Sequence, residues 1–232
     1  MTALWEMVGW ELTRGWRARD RLRRIGVPLG LFCAFAVLNG VVFSPEFMRR
    51  GVWLFILLWV PLGATVAPIA DSFAGERERG TLEGLLLSPV PDWAIVGGKL
   101  VALLIYALAL IGVLFLSQIG VFVVSGSALP SLSWYGATVG LAVFSHLAVV
   151  SLGLMVSWRA PSLQVAQQGL FLVLILPALA LFILPDQMAP FFFAPLDAAA
   201  LRPAVAVGVV VGCGLATLAV LRFRRDRLLL RC

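Results

Sequence analysis

The sequence predicts an all-α membrane protein: six transmembrane helices, an amphipathic helix in the membrane interface ahead of them, and a short cytoplasmic helix between spans two and three. Of its 232 residues 61% are hydrophobic and only 13% charged, and the mean hydropathy of +1.00 lies outside the soluble globular range. Apolar runs of about 20 residues, enough to cross roughly 30 Å of hydrocarbon as helices, recur along the whole chain and leave little for a soluble domain. The basic residues stand at the ends of these runs. The formal charge of +6 and pI near 10.2 therefore read as membrane topology, not as a nucleic-acid surface.

The first element is ALWEMVGWELTRGWRARDRLRR, residues 3–24. At about 100° per residue, Leu4, Trp5, Val8, Leu12 and Trp16 share one helical face and Arg14, Arg17, Arg21 and Arg24 take the other. That division predicts an interfacial helix with tryptophans in the acyl boundary and arginines on anionic headgroups. The alternative is a plain basic juxtamembrane tail. Glu6 and Glu11 precede the first long apolar run, and no small-residue cleavage site is evident, so no removable signal peptide is expected.

Spans are predicted near 25–43, 51–72, 95–124, 134–157, 163–184 and 201–221. From Leu100 to Trp158 there is no Asp, Glu, Lys or Arg, a stretch too long for one helix. It must fold back at SGSALPSLS, Ser125 to Ser133, where Gly, Ser and Pro supply turn chemistry. Spans five and six are joined by 185–200, PDQMAPFFFAPLDAAA, whose three consecutive phenylalanines point to an outer segment that either re-enters the membrane or anchors in its interface. With the N-terminus in the cytoplasm, all 18 basic residues except Arg49, Arg50 and Arg202 fall inside, so both termini are predicted to be cytoplasmic.

The loop after span two, 76–91, is richer than a connector needs. The alternating charges Glu76, Arg77, Glu78 and Arg79 are followed by Gly80 and then TLEGLLLSP. Thr81 can cap a short helix with Glu83 in its first turn, where the helix dipole favours an acid, and Pro89 ends it. Asp92 can cap the third span. Leu82, Leu85, Leu86 and Leu87 would then form a leucine surface outside the membrane, which calls for a partner groove.

These residues carry a resemblance. Glu76, Glu78, Gly80, Thr81, Leu82, Glu83, Leu85, Leu86, Ser88, Pro89, Val90 and Lys99 follow the pattern of the type-2 permease family of ATP-binding-cassette (ABC) exporters: a charged stretch, a GTLE-like turn, a leucine pair, a Ser-Pro step and a Lys opening the third span. Six spans, an amphipathic first helix and an apolar outer segment also resemble that family. The resemblance implies a transport subunit, not an enzyme, in the cell (inner) membrane. It implies a coupling helix at Glu76 through Leu87, seated in a cleft of a cytoplasmic ABC ATPase that works as a dimer, and a second permease that is a copy of this chain or a paralogue. ATP and Mg would be bound by the ATPase; this chain would bind no cofactor and no nucleic acid. Glu76, Arg77, Glu78 and Arg79 are expected at the rim of that contact, with Leu82, Leu85 and Leu86 filling the groove.

Other features are weaker. Gly97, Gly98 and Lys99 look like the end of a phosphate-binding loop, but Trp93 and Leu100 occupy the positions where such a loop needs Gly and Ser or Thr. His146, in the middle of span four, is the one histidine; it serves either substrate contact and gating or a hydrogen-bonded packing role, with no neighbours spaced for a metal. Gln118, Asn39 and the pair Gln167 and Gln168 are polar groups that line a path or bond between helices. Gly136 with Gly140, and Gly208 with Gly212, have the spacing that permits close helix approach, and Pro61, Pro68 and Pro177 are expected to kink their helices. An intramembrane enzyme lacks its catalytic constellation, and an ion-gradient-driven transporter would need mid-span acids that are missing. A haem-exporter-type permease for cytochrome maturation is the nearest sibling, sharing the length and an LSP-containing loop.

Overall fold

The computed structural model describes residues 2–13, 30, 33–35, 37, 38, 42–183 and 197–225. Among these there is no strand. In chain order the helices are α1 (Thr2–Thr13), α2 (Gly51–Ala70), α3 (Leu82–Leu86), α4 (Asp92–Val124), α5 (Leu132–Ser157), α6 (Leu163–Ile183) and α7 (Ala198–Arg222). Beyond Ala70, α2 runs on through a π turn, Asp71–Gly75, and a last turn, Glu76–Glu78.

Four of these helices are long and apolar enough to cross a membrane: Gly51–Glu78, Asp92–Val124, Leu132–Ser157 and Ala198–Arg222. The chain is thus a multi-pass membrane protein with four candidate spans. The fifth predicted span falls on α6, whose stretch Leu163–Leu176 is apolar but shorter. The first predicted span is helical at 33–35, 37, 38 and 42, and otherwise lies outside the described residues. Also outside them are Arg14, Trp16, Arg17, Arg21, Asn39 and the outer segment from 185 to 196.

Local chemistry sets the helix limits. Gly126, at φ 65°, stops α4, and the Ser127 N–H returns 3.0 Å to the Phe122 carbonyl. Ser131 Oγ accepts from Trp134 N at 3.3 Å to open α5, and Asp197 Oδ1 accepts from Ala200 N at 2.9 Å to open α7. Asp92, expected to cap α4, sits instead in its first turn, with Pro91 at the cap. Thr81 stands at the cap of α3, but its hydroxyl donates 3.3 Å to the Glu76 carbonyl rather than accepting from the helix.

Helix α5 packs on α2, α4, α6 and α7. Three of the four paired glycines face its contact with α7. A Cβ on Gly212 would stand 2.7 Å from the Phe144 carbonyl oxygen, one on Gly208 3.4 Å from Phe144 Cβ and one on Gly140 3.4 Å from Val205 Cγ1, whereas Gly136 faces open space. The core is divided between two ends of the bundle. Met48, Trp53, Leu57, Leu114, Phe122 and Trp134 fill the end where α2 begins; Ile69, Phe73, Leu82, Leu86, Ile95 and Trp158 fill the end where it stops.

Candidate functional site

At this second end α2, α3, α4, α5, α6 and the chain after α7 converge, and the charged run stands at their junction. Its placement begins with the π turn. Bonds in a π turn span i to i+5, so the ladder around it is interrupted. Ser157, the last residue of α5 and fully buried, fills the gap: its hydroxyl donates to the Ala70 carbonyl at 2.8 Å and accepts from Phe73 N and Ala74 N, each at 3.1 Å. The inserted residue turns the faces of Glu76 to Arg79 relative to the span above. Gly75 lies within this turn, and a Cβ there would stand 2.0 Å from Asp71 Oδ1.

Each of the four charges then meets a different partner. Glu76, with no exposed surface, accepts from Lys99 Nζ of α4 at 2.6 Å. The Arg77 guanidinium donates to the carbonyls of Trp158, at 3.1 Å, and Ala160, just past the end of α5, where the helix dipole is negative. Glu78 Oε1 accepts from Leu163 N at 2.7 Å, placing an acid on the positive start of α6. Arg79 pairs with Asp71 at 2.6 Å across the π turn. The run ends at Gly80, whose φ of 67° is the left-handed conformation that reverses the chain into α3.

Arg225, after α7, closes the other side. It donates to the carbonyls of Leu86 at 3.2 Å, Ser88 at 3.3 Å and Val90, and pairs with Asp92. Three aromatic rings lie beneath: Phe73 is 6.0 Å from Trp158 and 5.5 Å from Phe223, and Trp158 is 5.4 Å from Phe223.

The charges from Glu76 to Arg79 close the α2 helix and all four are bonded within the chain, Arg77 and Glu78 to neighbouring helix ends and Glu76 and Arg79 to side chains, with Glu78 and Arg79 still exposed. One expectation is corrected here: Leu82 and Leu86 do not form an outward surface. Four apart on α3, they share the inward face and are buried against the core, with Leu85 partly buried. The exposed face carries Glu83, Gly84, Leu87 and Pro89, with Leu87 74% exposed.

Residues 23–217 match the family described as ABC-2 family transporter protein. The chain belongs to that family. No curated protein matches the chain. ABC-2 permeases are transmembrane transport subunits without an ATPase domain.

The remaining predicted residues of the permease lie elsewhere. On α1, Val8 is buried together with Met7, while Trp5 is 62% exposed; the face predicted as one apolar stripe is divided between α4 and the outside. Gln118 Nε2 donates to the Met48 carbonyl at 3.3 Å, far along α4 from the junction, and its Oε1 has no partner among the described residues. His146 Nδ1 is 2.7 Å from the Ala142 carbonyl in the same helix, and Nε2 has no partner among the described residues. No hydrogen bond among the described residues joins the two. Among those residues, too, no group of three or more His, Cys, Asp or Glu could hold a metal.

Sequence reasoning missed Ser157, Asp71 and Arg225. Asp71 had a signal, an acid at the edge of an apolar span eight residues from Arg79, and such intramembrane acids need a partner. Ser157 and Arg225 had none, since each acts on backbone groups more than 80 residues away in sequence.

Proposed function

We propose that this chain is the membrane-spanning half of an ATP-driven exporter, and that Glu76 through Pro89 receives the stroke of a separate cytoplasmic ABC ATPase. The reading rests on one arrangement above all. The segment is bonded inward to α4, α5, α6 and the chain after α7, while Glu83, Gly84, Leu87 and Pro89 point outward. A load on the outward face is thereby shared among the spans, which is what a coupling element must do. Membership of the ABC-2 family supports the ATPase partner. Arg77, Arg79, Lys99, Arg159, Arg222, Arg224 and Arg225 all belong to this end, against Arg49, Arg50 and Arg202 at the other, which supports a cytoplasmic position with both termini inside.

The working unit is then two ATPases, binding ATP and Mg, and two permeases, the second a copy or a paralogue. The cargo is an amphipathic or lipid-linked molecule, and Gln118 and His146, buried within spans with a polar atom unpaired among the described residues, are the groups offered to its path. The test is affinity purification from membranes. An ABC ATPase should co-purify with the native chain and be lost with Leu87→Glu, which leaves membrane insertion intact because Leu87 touches no core. Retention of no ATPase by the native chain, or normal transport in a preparation free of one, would overturn the reading.

A further inference from the structure

The glycine pair and lysine that imitate a phosphate loop do something else. A Cβ on Gly97 would stand 3.0 Å from Leu4 Cδ1, and one on Gly98 only 2.5 Å from Met7 Cγ, so these glycines let α1 lie directly against α4. One residue on, Lys99 Nζ donates both to Glu11 Oε1 of α1 and to Glu76 Oε1 at the end of α2, the latter at 2.6 Å. It stands 5.0 Å from the centre of the Phe73 ring. The side chains of Lys99 and Glu76 have no exposed surface and that of Glu11 has 15%.

From this we infer that Lys99 is a positioning residue that carries nucleotide-driven motion from the charged segment to α1. The inference rests on the proposed coupling role of that segment. A buried ammonium held between two carboxylates resists separation, because parting them leaves a charge uncompensated where water is scarce. Glu76 is one residue from Arg77 and two from Glu78, which bind the ends of α5 and α6, so it moves when the segment moves. Glu11 must follow through the shared ammonium. Apolar contact alone is a weaker tether: of the α1 side chains whose burial is described, Met7 and Val8 are the large apolar ones that are buried. The interfacial helix is on this account a driven part of the transporter and not a passive float.

The experiment uses the permease with its co-purifying ATPase in lipid nanodiscs, with Cys33, Cys213 and Cys232 replaced by serine. A spin label is placed by Trp5→Cys on the exposed side of α1, and in a second preparation by Pro91→Cys beside the segment, and spectra are compared without nucleotide and with ATP and vanadate. Both labels should change on trapping. In Lys99→Met the label at position 5 should lose that change while the one at 91 keeps it, and Lys99→Arg should restore it. Glu11→Gln, which removes only the α1 side of the contact and leaves Lys99 on Glu76, should reproduce the loss if Lys99→Met does not fold. A label at position 5 that is silent in the native complex, or that responds equally in Lys99→Met or Glu11→Gln, overturns the role of Lys99 while the response at 91 leaves the coupling reading standing. Silence at 91 as well overturns both.

Discussion

Replacing Ser157 by alanine removes a single hydroxyl, yet it should be among the costliest small changes in the protein. The hydroxyl makes three buried bonds to the interrupted backbone of α2, to the Ala70 carbonyl and to the N–H groups of Phe73 and Ala74. A buried backbone group left without a partner costs roughly 1–3 kcal/mol. Relaxation of the π turn to ordinary α pitch would recover some of this. That relaxation, however, turns everything beyond it by about 100°, pulling Glu76 off Lys99 and Arg77 off the end of α5. Either route leaves a penalty of about 3 kcal/mol, taken as somewhat more than one orphaned group. For a chain of this length it corresponds to a fall in Tm of roughly 6–12 °C, read by thermal unfolding of the purified protein in detergent. Ser72→Ala is the control: its hydroxyl bonds mainly the Ile69 carbonyl of its own helix, at 2.6 Å, and its loss should cost within about 1 kcal/mol. If Ser157→Ala melts within about 2 °C of the native protein, the π turn does not depend on Ser157 and the account of how Glu76 to Arg79 are aimed is wrong.

Two further substitutions test the packing. Gly212→Ala places a methyl 2.7 Å from the Phe144 carbonyl oxygen and should destabilise by about 1–3 kcal/mol, whereas Gly136→Ala, with nothing within 4 Å, should be neutral or gain up to about 1 kcal/mol; thermal unfolding of the pair decides. On α3, Leu82→Ala should cost about 2–5 kcal/mol and Leu87→Ala within about 0.5 kcal/mol, the reverse of what a groove-filling Leu82 would give.

Much of the architecture was legible because hydrocarbon imposes a simple rule. Long charge-free runs read as spans, and SGSALPSLS as the turn between two of them, since few residue types satisfy those needs. The inward turn of α3 was not legible. A helix of five residues with four leucines in and beside it offers no periodicity that separates one face from another, and the core beneath it, built from Phe73, Ile95 and Trp158, decides the matter. The partners of the charged run were hidden for a different reason. Arg77, Glu78 and Arg225 bind main-chain groups, which every residue carries, so no side-chain pattern marks the acceptor. Lys99 was visible as part of the family pattern, and Trp93 and Leu100 already set GGK apart from a phosphate loop, but its contact with Glu11 was not legible, because it depends on where α1 lies.

The concentration of charge in so apolar a chain follows from helix ends. Each span that stops at this junction exposes carbonyls or N–H groups that no neighbour in its own helix can satisfy, in a region with little water to do so. An arginine at the finish of α5, a glutamate at the start of α6 and Arg225 at the finish of α3 each match the sign of the end they meet. Hydrogen bonds to charged groups contribute roughly 1.5–3 kcal/mol each, more than their neutral counterparts. Three such contacts from residues adjacent to or packed on α3 mean that moving α3 against any one helix requires breaking bonds to the others. The lowest-cost displacement is therefore one in which the segment and the ends of α4, α5 and α6 shift as a unit, together with the π turn that Ser157 ties to the end of α5.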